Sequence, residues 1–386
     1  MNSEAISLIN EIKEELRQLS KYIYENPELG NKEYLAADAH IAILEKYGFK
    51  VERSFLGIET AFKAVYDTGI GEGAAAFLAE YDSLPEIGHG CGHNLLGTVS
   101  TGAGIVLSKL IKSGKVIVFG TPAEETNGAK VDMAKAGAFK EIDAVFQAHP
   151  ADQNFASMKS LAMEALEFSF IGRTAHAAAC PEKGINALEA AINMFNNLNG
   201  LREHIPQSAR IHGIIREGGR AANIVPDLAI NEFYVRGESK KQVKELALKV
   251  KNCAYGASLA AGTELKIRNY EKSNDDFISN FNLMHRYMKY MNEAGIKDIN
   301  EINATSGSAD AGNVSYVVPA LHAWFSITKD PMALHTAEFA RQTLTDYAAD
   351  QMIKAIYGLV MTSYDIINDR EFNKIVVEEH RKNVNN

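Results

Sequence analysis

Three cysteines in 386 residues, at positions 91, 180 and 253, are too few and too odd in number for a disulfide framework, and they point to a reducing compartment. Positive charge is not in excess either. Lys and Arg number 40 against 49 Asp and Glu, a net charge of -9, so a surface built to neutralise nucleic-acid phosphates is not expected. No apolar run approaches the ~18 residues of a membrane span. The opening Met1-Asn2-Ser3-Glu4-Ala5 lacks the basic-then-apolar pattern of a secretory signal. A soluble, cytoplasmic protein with no membrane partner is expected. Repeats, low-complexity tracts and Pro- or Ser-rich linkers are missing as well. What is present, 46% hydrophobic and 23% charged residues, is ordinary for a globular chain. A single core usually stops growing at about 250–300 residues, so two domains are expected.

The first half reads as apolar strands alternating with helices. Ile6, Leu8, Ile9, Ile12, Leu16 and Leu19 recur at helical spacing from Ser3, and a second helix covers about 32–47. Strands are expected at 49–51, 60–66, 74–80, 115–120 and 144–147, with helices at 94–110 and 129–136. That alternation indicates an α/β layer with a mostly parallel sheet flanked by helices, whose catalytic groups gather at the carboxyl ends of strands. Between about 164 and 277 the order becomes strand, helix, strand, strand, helix, strand. This is the β-α-β-β-α-β order of a ferredoxin-like unit, complete in itself. The expected organisation is therefore one domain of residues 1–163 and 278–386, interrupted by an inserted domain of 164–277. After it come a helix (281–294), a polar loop (305–315), a short strand (321–327) and a long helix (336–357).

The densest polar cluster is Gly88-His89-Gly90-Cys91-Gly92-His93-Asn94. Glycines around a thiol and two imidazoles let the backbone bring alternate side chains to one point, and Cys91 and His93 both have metal-ligand chemistry. A buried cysteine beside a helix-capping histidine fits the same residues. Thr121-Pro122-Ala123-Glu124-Glu125 follows the strand at 115–120. Two adjacent carboxylates at the end of a buried strand are costly to desolvate unless something positive meets them. Neighbours on extended backbone point opposite ways, so one can bind a cation while the other faces a reacting water. His149 ends another apolar run, and His335 precedes Thr336, a potential helix cap. Each of these histidines alone is more commonly structural.

Together Cys91, His93, Glu125, His149 and His335 make a mixed N, O and S donor set. It suffices for two cations sharing a ligand and a water, with positions open to substrate. Glu124 then suits the general base. Asp82, just past the strand at 74–80, suits either orienting a ligating imidazole or forming a turn.

The set Ala79-Glu80-Tyr81-Asp82-Ser83-Leu84-Pro85, Gly88–Asn94, Gly120–Glu125 and Leu334-His335-Thr336 resembles the co-catalytic metallopeptidase family of aminoacylases and glutamate carboxypeptidases. The Cys-Gly-His motif is similar to its branch of indole-acetyl-amino-acid, hippurate and aminobenzoyl-glutamate hydrolases. The likeness runs over essentially the whole chain. It implies a catalytic α/β domain interrupted by a ferredoxin-like lid that mediates homodimerisation. It also implies two divalent metal ions per subunit, manganese or zinc with cobalt and nickel open, and hydrolysis of an amide beside a free carboxylate in an N-acyl amino acid or short dipeptide. Residue by residue, Glu124 matches the base, and Cys91, His93, Glu125, His149 and His335 match the metal ligands. His176, in Gly172-Arg173-Thr174-Ala175-His176, resembles the family motif whose histidine reaches a catalytic site, often that of the partner subunit, where an imidazole suits stabilising the oxyanion. Asn223 and Arg236 resemble substrate contacts to a carbonyl and a carboxylate; a loop-stabilising Asn and a surface Arg remain the alternatives. Asn94, where Asp is usual, and Glu80 resemble a sub-branch that includes dipeptidases for basic dipeptides. A dipeptidase for basic or β-linked dipeptides is thus a second reading, and a catalytically silent metal-binding subunit of a hetero-oligomer a third.

Of the other histidines, His40, His204, His285, His322 and His380 carry no partner signal, His212 reads as structural, and His89 suits the pocket without ligating. Trp324 reads as packing. The Ser306–Asn313 loop suits lining the pocket with N–H groups, but it lacks the spacing of a phosphate loop, so nucleotide binding is not expected.

Overall fold

Asn2 caps the first helix: its side-chain oxygen accepts from the N–H groups of Glu4 and Ala5 at 3.0 and 3.1 Å. Helix α1 (Ser3–Glu25) then buries Ala5, Ile9, Ile12, Leu16, Leu19 and Ile23 along one face. The computed structural model describes residues 1–304 and 307–385. After α1 come α2 (Tyr34–Lys46), β1 (Lys50–Arg53), β2 (Phe62–Asp67), β3 (Ala74–Ala79), α3 (His93–Leu110), β4 (Lys115–Gly120), α4 (Ala129–Ala136), β5 (Ala144–Ala151) and β6 (Phe155–Lys159). The middle of the chain holds β7 (Ala162–Ile171), α5 (Ala187–Arg202), β8 (Arg210–Glu217), β9 (Leu228–Gly237), α6 (Lys240–Ala261) and β10 (Glu264–Asn269). Then follow α7 (Phe281–Glu293), β11 (Asn300–Ala304), α8 (Ala311–Ser315), β12 (Ala320–Ser326), α9 (Ala337–Gln342), α10 (Asp346–Asn368) and α11 (Arg370–Val384).

The chain divides into two units, Met1–Lys159 with Phe277–Asn386, and Ser160–Asp276. The first boundary falls earlier than the 163/164 junction read from the sequence, because β7 already starts at Ala162 and pairs with β9 and β10 of the inserted unit.

In the first unit an eight-stranded sheet runs in the order β1-β2-β4-β3-β5-β12-β6-β11. The β4-β3-β5-β12 centre is parallel throughout, and antiparallel pairs join β1 to β2, β2 to β4 and β12 to β6. Central strands covered on both faces need apolar residues at every position, and β3 supplies them. Ala75, Phe77 and Ala79 enter the core shared with α1, α3 and α10, whereas Ala74, Ala76 and Leu78 enter the core shared with α4 and α8. Helix α3 is apolar or small nearly all round, so it is buried on all sides. Gly97 makes this possible, since a Cβ there would lie 2.5 Å from the Glu80 carbonyl oxygen. Because β3, β4, β5 and β12 run parallel, their carboxyl ends share one edge.

The inserted unit is a four-stranded antiparallel sheet, β10-β7-β9-β8, with α5 and α6 packed on one face through Ala190, Met194, Leu246 and Val250. Alternating Ala229, Asn231, Phe233 and Val235 of β9 point into that core.

Several expectations needed correction. β6, β11 and α11 had no expected counterpart, and the loop read at 305–315 contains α8; Thr305 and Ser306 lie outside the described residues. The long helix expected from Thr336 to Tyr357 breaks. The Thr343 hydroxyl donates to the Ala340 carbonyl, and Thr345 caps α10 by accepting from the Ala348 N–H. Among the described residues no helix is long and apolar enough to cross a membrane.

Candidate active site

Three parallel strands deliver acidic and imidazole groups to the same edge. Glu80 and Asp82 follow β3, Glu124 and Glu125 follow β4, and His149 lies near the end of β5. His93 opens α3 directly after the Gly90-Cys91-Gly92 turn, where Gly92 has φ +81°. His335 reaches the group from the loop before α9, its backbone N–H donating to the Gly90 carbonyl at 2.9 Å. Residues remote in sequence thereby line one cavity of about 570 Å³, among them Cys91, Glu124, Glu125, His149 and His335. That volume suits a small-molecule ligand.

The hydrogen bonds fix how the imidazoles face. His93 donates from Nδ1 to Asp82 Oδ1 at 2.8 Å, and the other Asp82 oxygen accepts from the Glu125 N–H at 2.9 Å. Asp82 therefore ties the histidine to the glutamate. His149 donates from Nδ1 to the Pro150 carbonyl at 2.7 Å, which leaves Nε2 aimed at Cys91 Sγ, 3.4 Å away. His335 Nε2 lies 3.4 Å from Glu125 Oε1. Three sets of ligand atoms lie within 4.8 Å of one another: Cys91, His93 and His149; Cys91, Glu125 and His335; Glu80, His93 and Glu124. The first two share Cys91.

Does this donor set fit divalent cations? Buried polar atoms normally find partners, yet His93 Nε2 and Glu125 Oε1 are buried with no hydrogen-bond partner, and both point among the other donors. Thiolate, imidazole and carboxylate are the ligand types zinc and its neighbours take. The set fits.

The electrostatics follow from burial and from neighbouring charge. Burial pushes the Cys91 thiol up, so a thiolate in this setting needs a cation beside it. Burial also holds His149 down at about 4, a neutral imidazole at ordinary pH. Burial alone would raise Glu125, but His335, His93 and Cys91 bring its carboxyl down to about 2. Glu124 is its opposite. Burial, then the charges of Glu80 and Asp310, hold its carboxyl well above the usual range. Two adjacent glutamates are thus driven apart, one always ionised and one able to carry a proton, which is how a site separates a ligand from a general acid/base.

The turn carrying this pair is itself held. Ala123 adopts a left-handed φ of +63°, and its N–H donates to Glu33 Oε1 at 2.8 Å. Glu33 is fully buried, and its other oxygen accepts from the Thr60 hydroxyl at 2.9 Å.

Some residues at the site had no functional reading from the sequence. Lys130, fully buried on α4, sits 2.9 Å from Glu80 Oε1 and 2.5 Å from Asp310 Oδ1. Gln147 also donates to Glu80, at 3.0 Å. His322 and Trp324 of β12 line the cavity, with the Trp324 ring 4.4 Å from that of His149. The signal for Glu80 was its place one residue beyond a buried strand, like that of Glu124. Lys130 had none, since a helical lysine is ordinarily solvated. His89 turns away and bonds the Ile23 carbonyl at 3.0 Å.

In the inserted unit His176 and Asn223 come together. The Ala177 N–H donates to the Asn223 carbonyl at 3.0 Å, and His176 bridges Ile224. His176 Nδ1 accepts from the N–H groups of Ala178 and Ala179, each at 3.2 Å, which leaves its proton on Nε2. Arg236 is not with them. It pairs with Met163 at one end of the β7–β9 ladder, whereas Ile171–Leu228, the pair nearest His176 and Asn223, is at the other.

The chain is similar to several known proteins. Residues 158–257 match a peptidase dimerisation domain. An Xaa-Arg dipeptidase of Mus musculus is 36% identical over 95% of this chain and 89% of its own length. A subunit of the p-aminobenzoyl-glutamate hydrolase of Escherichia coli is 27% identical over 94% of this chain and 91% of that protein. A solved structure from Bacillus subtilis, described as a dinuclear metal binding peptidase of the M20 family, shares the fold with a TM-score of 0.66 at 18% identity, over 91% of this chain and 99% of that one. The chain belongs to the M20 family of peptidases and amidohydrolases.

Proposed function

We propose that this protein hydrolyses the amide bond of N-acyl amino acids or short dipeptides at a two-cation centre held by Cys91, His93, Glu125, His149 and His335. The observation that carries the reading is the convergence of those donors around Glu124, a carboxyl whose proton affinity is raised at the floor of a small-molecule cavity. Divalent ions bound there supply Lewis acidity toward the scissile carbonyl and the attacking water. Glu124 takes the proton from that water, holds it on its carboxyl, and delivers it to the departing amine nitrogen. Its raised proton affinity suits the holding and hand-over of that proton, and cations bound beside it would lower that affinity toward the acceptor form the first step needs. Asp82 keeps the His93 ring in one tautomer and pins the Glu125 backbone, so the donors do not wander as charge develops. His176, with its proton on Nε2, is assigned the oxyanion contact and Asn223 the substrate carbonyl; Arg236, the residue read from the sequence for the carboxylate, lies at the far end of the β7–β9 ladder from Asn223, so a small substrate held by Asn223 does not reach it within one subunit. For His176 and Asn223 the support is the resemblance of their motifs.

The same reading takes manganese or zinc as the ions, a homodimer formed through the inserted unit, and a reducing cytoplasm that keeps Cys91 a free thiol. Within it, a dipeptidase acting on dipeptides with a basic residue is favoured by the likeness to the mouse Xaa-Arg dipeptidase.

Glu124→Gln tests the mechanism. Loaded with manganese or zinc and offered N-acyl amino acids and Xaa-Arg or Xaa-Lys dipeptides, the wild type should turn over at least one class. The variant should lose about 10²–10⁴-fold in kcat while keeping its metal content. Equal metal binding in both proteins with no turnover by either across the panel would favour a catalytically silent subunit.

A further inference from the structure

The geometry points to Glu80 as a sixth donor of the cation centre, binding on the His93 side with its carboxylate held in place by Lys130. The inference rests on the two-cation reading above and adds a hard oxygen from a residue whose motif reads only as a sub-branch feature, not as a ligand.

Glu80 is buried at the carboxyl end of β3, and its two oxygens have different neighbours. Oε1 is engaged, accepting from Lys130 Nζ at 2.9 Å and from Gln147 Nε2 at 3.0 Å. That clamp turns Oε2 toward His93 Nε2, 3.2 Å away. The His93 ring cannot rotate to avoid it, because Nδ1 is held by Asp82 at 2.8 Å. Yet no hydrogen bond joins Nε2 to Oε2, and Nε2 is buried without any hydrogen-bond partner. At that distance in a dry interior the two atoms need positive charge between them: either a second proton on His93, which the Cys91 and Asp82 neighbours favour against burial, or a cation touching both. A cation supplies it without needing the alignment a proton needs. Donors about 2.0–2.2 Å from one ion and at a right angle around it lie about 3 Å apart, close to the spacing found. A Glu124 oxygen also lies within 4.8 Å of both.

The alternative is that Glu80 serves only as counter-ion to Lys130. Asp310 already fills that need, binding the ammonium at 2.5 Å and the Lys130 backbone N–H at 3.2 Å. One fully buried lysine thus has two carboxylates, and one of them has an oxygen left to offer. An added carboxylate oxygen makes a centre containing a thiolate harder, which favours manganese relative to zinc.

Glu80→Gln tests this directly, since the amide oxygen still accepts from Lys130 while the charge and the second carboxylate oxygen are lost. Full-length protein is titrated with cobalt(II), manganese and zinc, with metal content measured by mass spectrometry and the cobalt absorption bands recorded. The expected result is two equivalents in the wild type and, in the variant, one site weakened about 10–100-fold, manganese more than zinc, with altered cobalt bands. Should Glu80→Gln not fold, Glu80→Asp, which keeps the charge but shortens the reach, is expected to shift the same bands. A wild type that takes up two equivalents and a folded variant with unchanged affinities and cobalt spectrum would overturn the Glu80 assignment alone. A wild type that takes up no more than one equivalent would instead overturn the two-cation reading beneath it.

Discussion

Replacing Glu33 with Gln is expected to stabilise the protein at alkaline pH and to leave it nearly unchanged in acid. Glu33 is fully buried, and burial, with the charge of Asp82 adding to it, raises its carboxyl from 4.5 to about 7 despite the bonds from Thr60 and Ala123. A carboxyl whose folded value lies above its unfolded one keeps its proton longer in the folded chain. Its stabilising contribution is therefore complete below about pH 4.5 and is lost as pH rises through about 7. The difference between 4.5 and about 7 corresponds to at most about 3 kcal/mol. The amide imitates the protonated acid: its oxygen accepts from the Ala123 N–H, and its NH₂ donates to the Thr60 hydroxyl. Urea unfolding of chelated protein, so that metal binding does not contribute, should show the variant and wild type together near pH 5. Their midpoints should separate progressively toward pH 8, the variant the more stable by about 1–3 kcal/mol. A gap that does not change with pH, or a variant less stable at pH 8, would refute the reasoning.

Lys130→Met strands Glu80 and Asp310 without their buried counter-ion and should cost about 3–5 kcal/mol in urea unfolding at pH 8; a loss below about 1 kcal/mol would contradict the ion cluster. Asp82→Asn keeps an acceptor for His93 or for the Glu125 N–H but not the charge that favours a ligating imidazole, so metal affinity by calorimetric titration should fall about 10–100-fold with the fold intact. Gly97→Ala places a methyl 2.5 Å from the Glu80 carbonyl oxygen and 2.8 Å from His40 Nε2, and should cost about 1–3 kcal/mol. By contrast, Gly200→Ala on α5 meets nothing within 4 Å and should stabilise by about 0.5–1 kcal/mol. Thermal melts of that pair moving in the same direction would count against the packing described.

Where a segment's own residues decide its structure, the sequence was readable. Helix α1 has its cap and its apolar stripe within 24 residues, and β4 and α4 fall on the bounds expected from apolar runs and spacing. Edge elements were not readable: β6 and β11 are five residues each and gain their identity from pairing with one another. The three threonines at 336, 343 and 345 look alike in the sequence, but two of them cap helices and one ends a turn, and only the contacts tell which. At the candidate site, residues with unusual chemistry announced themselves: Cys91 and His93 in the glycine-rich turn that opens α3, and Glu124, Glu125 and His149 at strand ends. Lys130 and Asp310 did not. They are 180 positions apart, each ordinary in its own segment, and their meaning lies in burial beside Glu80. His322 and Trp324 passed as core residues for the same reason, because alternation along β12 does not say which inward positions reach a cavity.

The most direct measurement is anomalous X-ray diffraction from crystals of the protein grown with manganese or zinc. Two anomalous peaks about 3.5–4 Å apart, flanked by Cys91, His93, Glu125, His149 and His335, are the expected result. A single peak, no peak, or peaks bound by other residues would contradict the account.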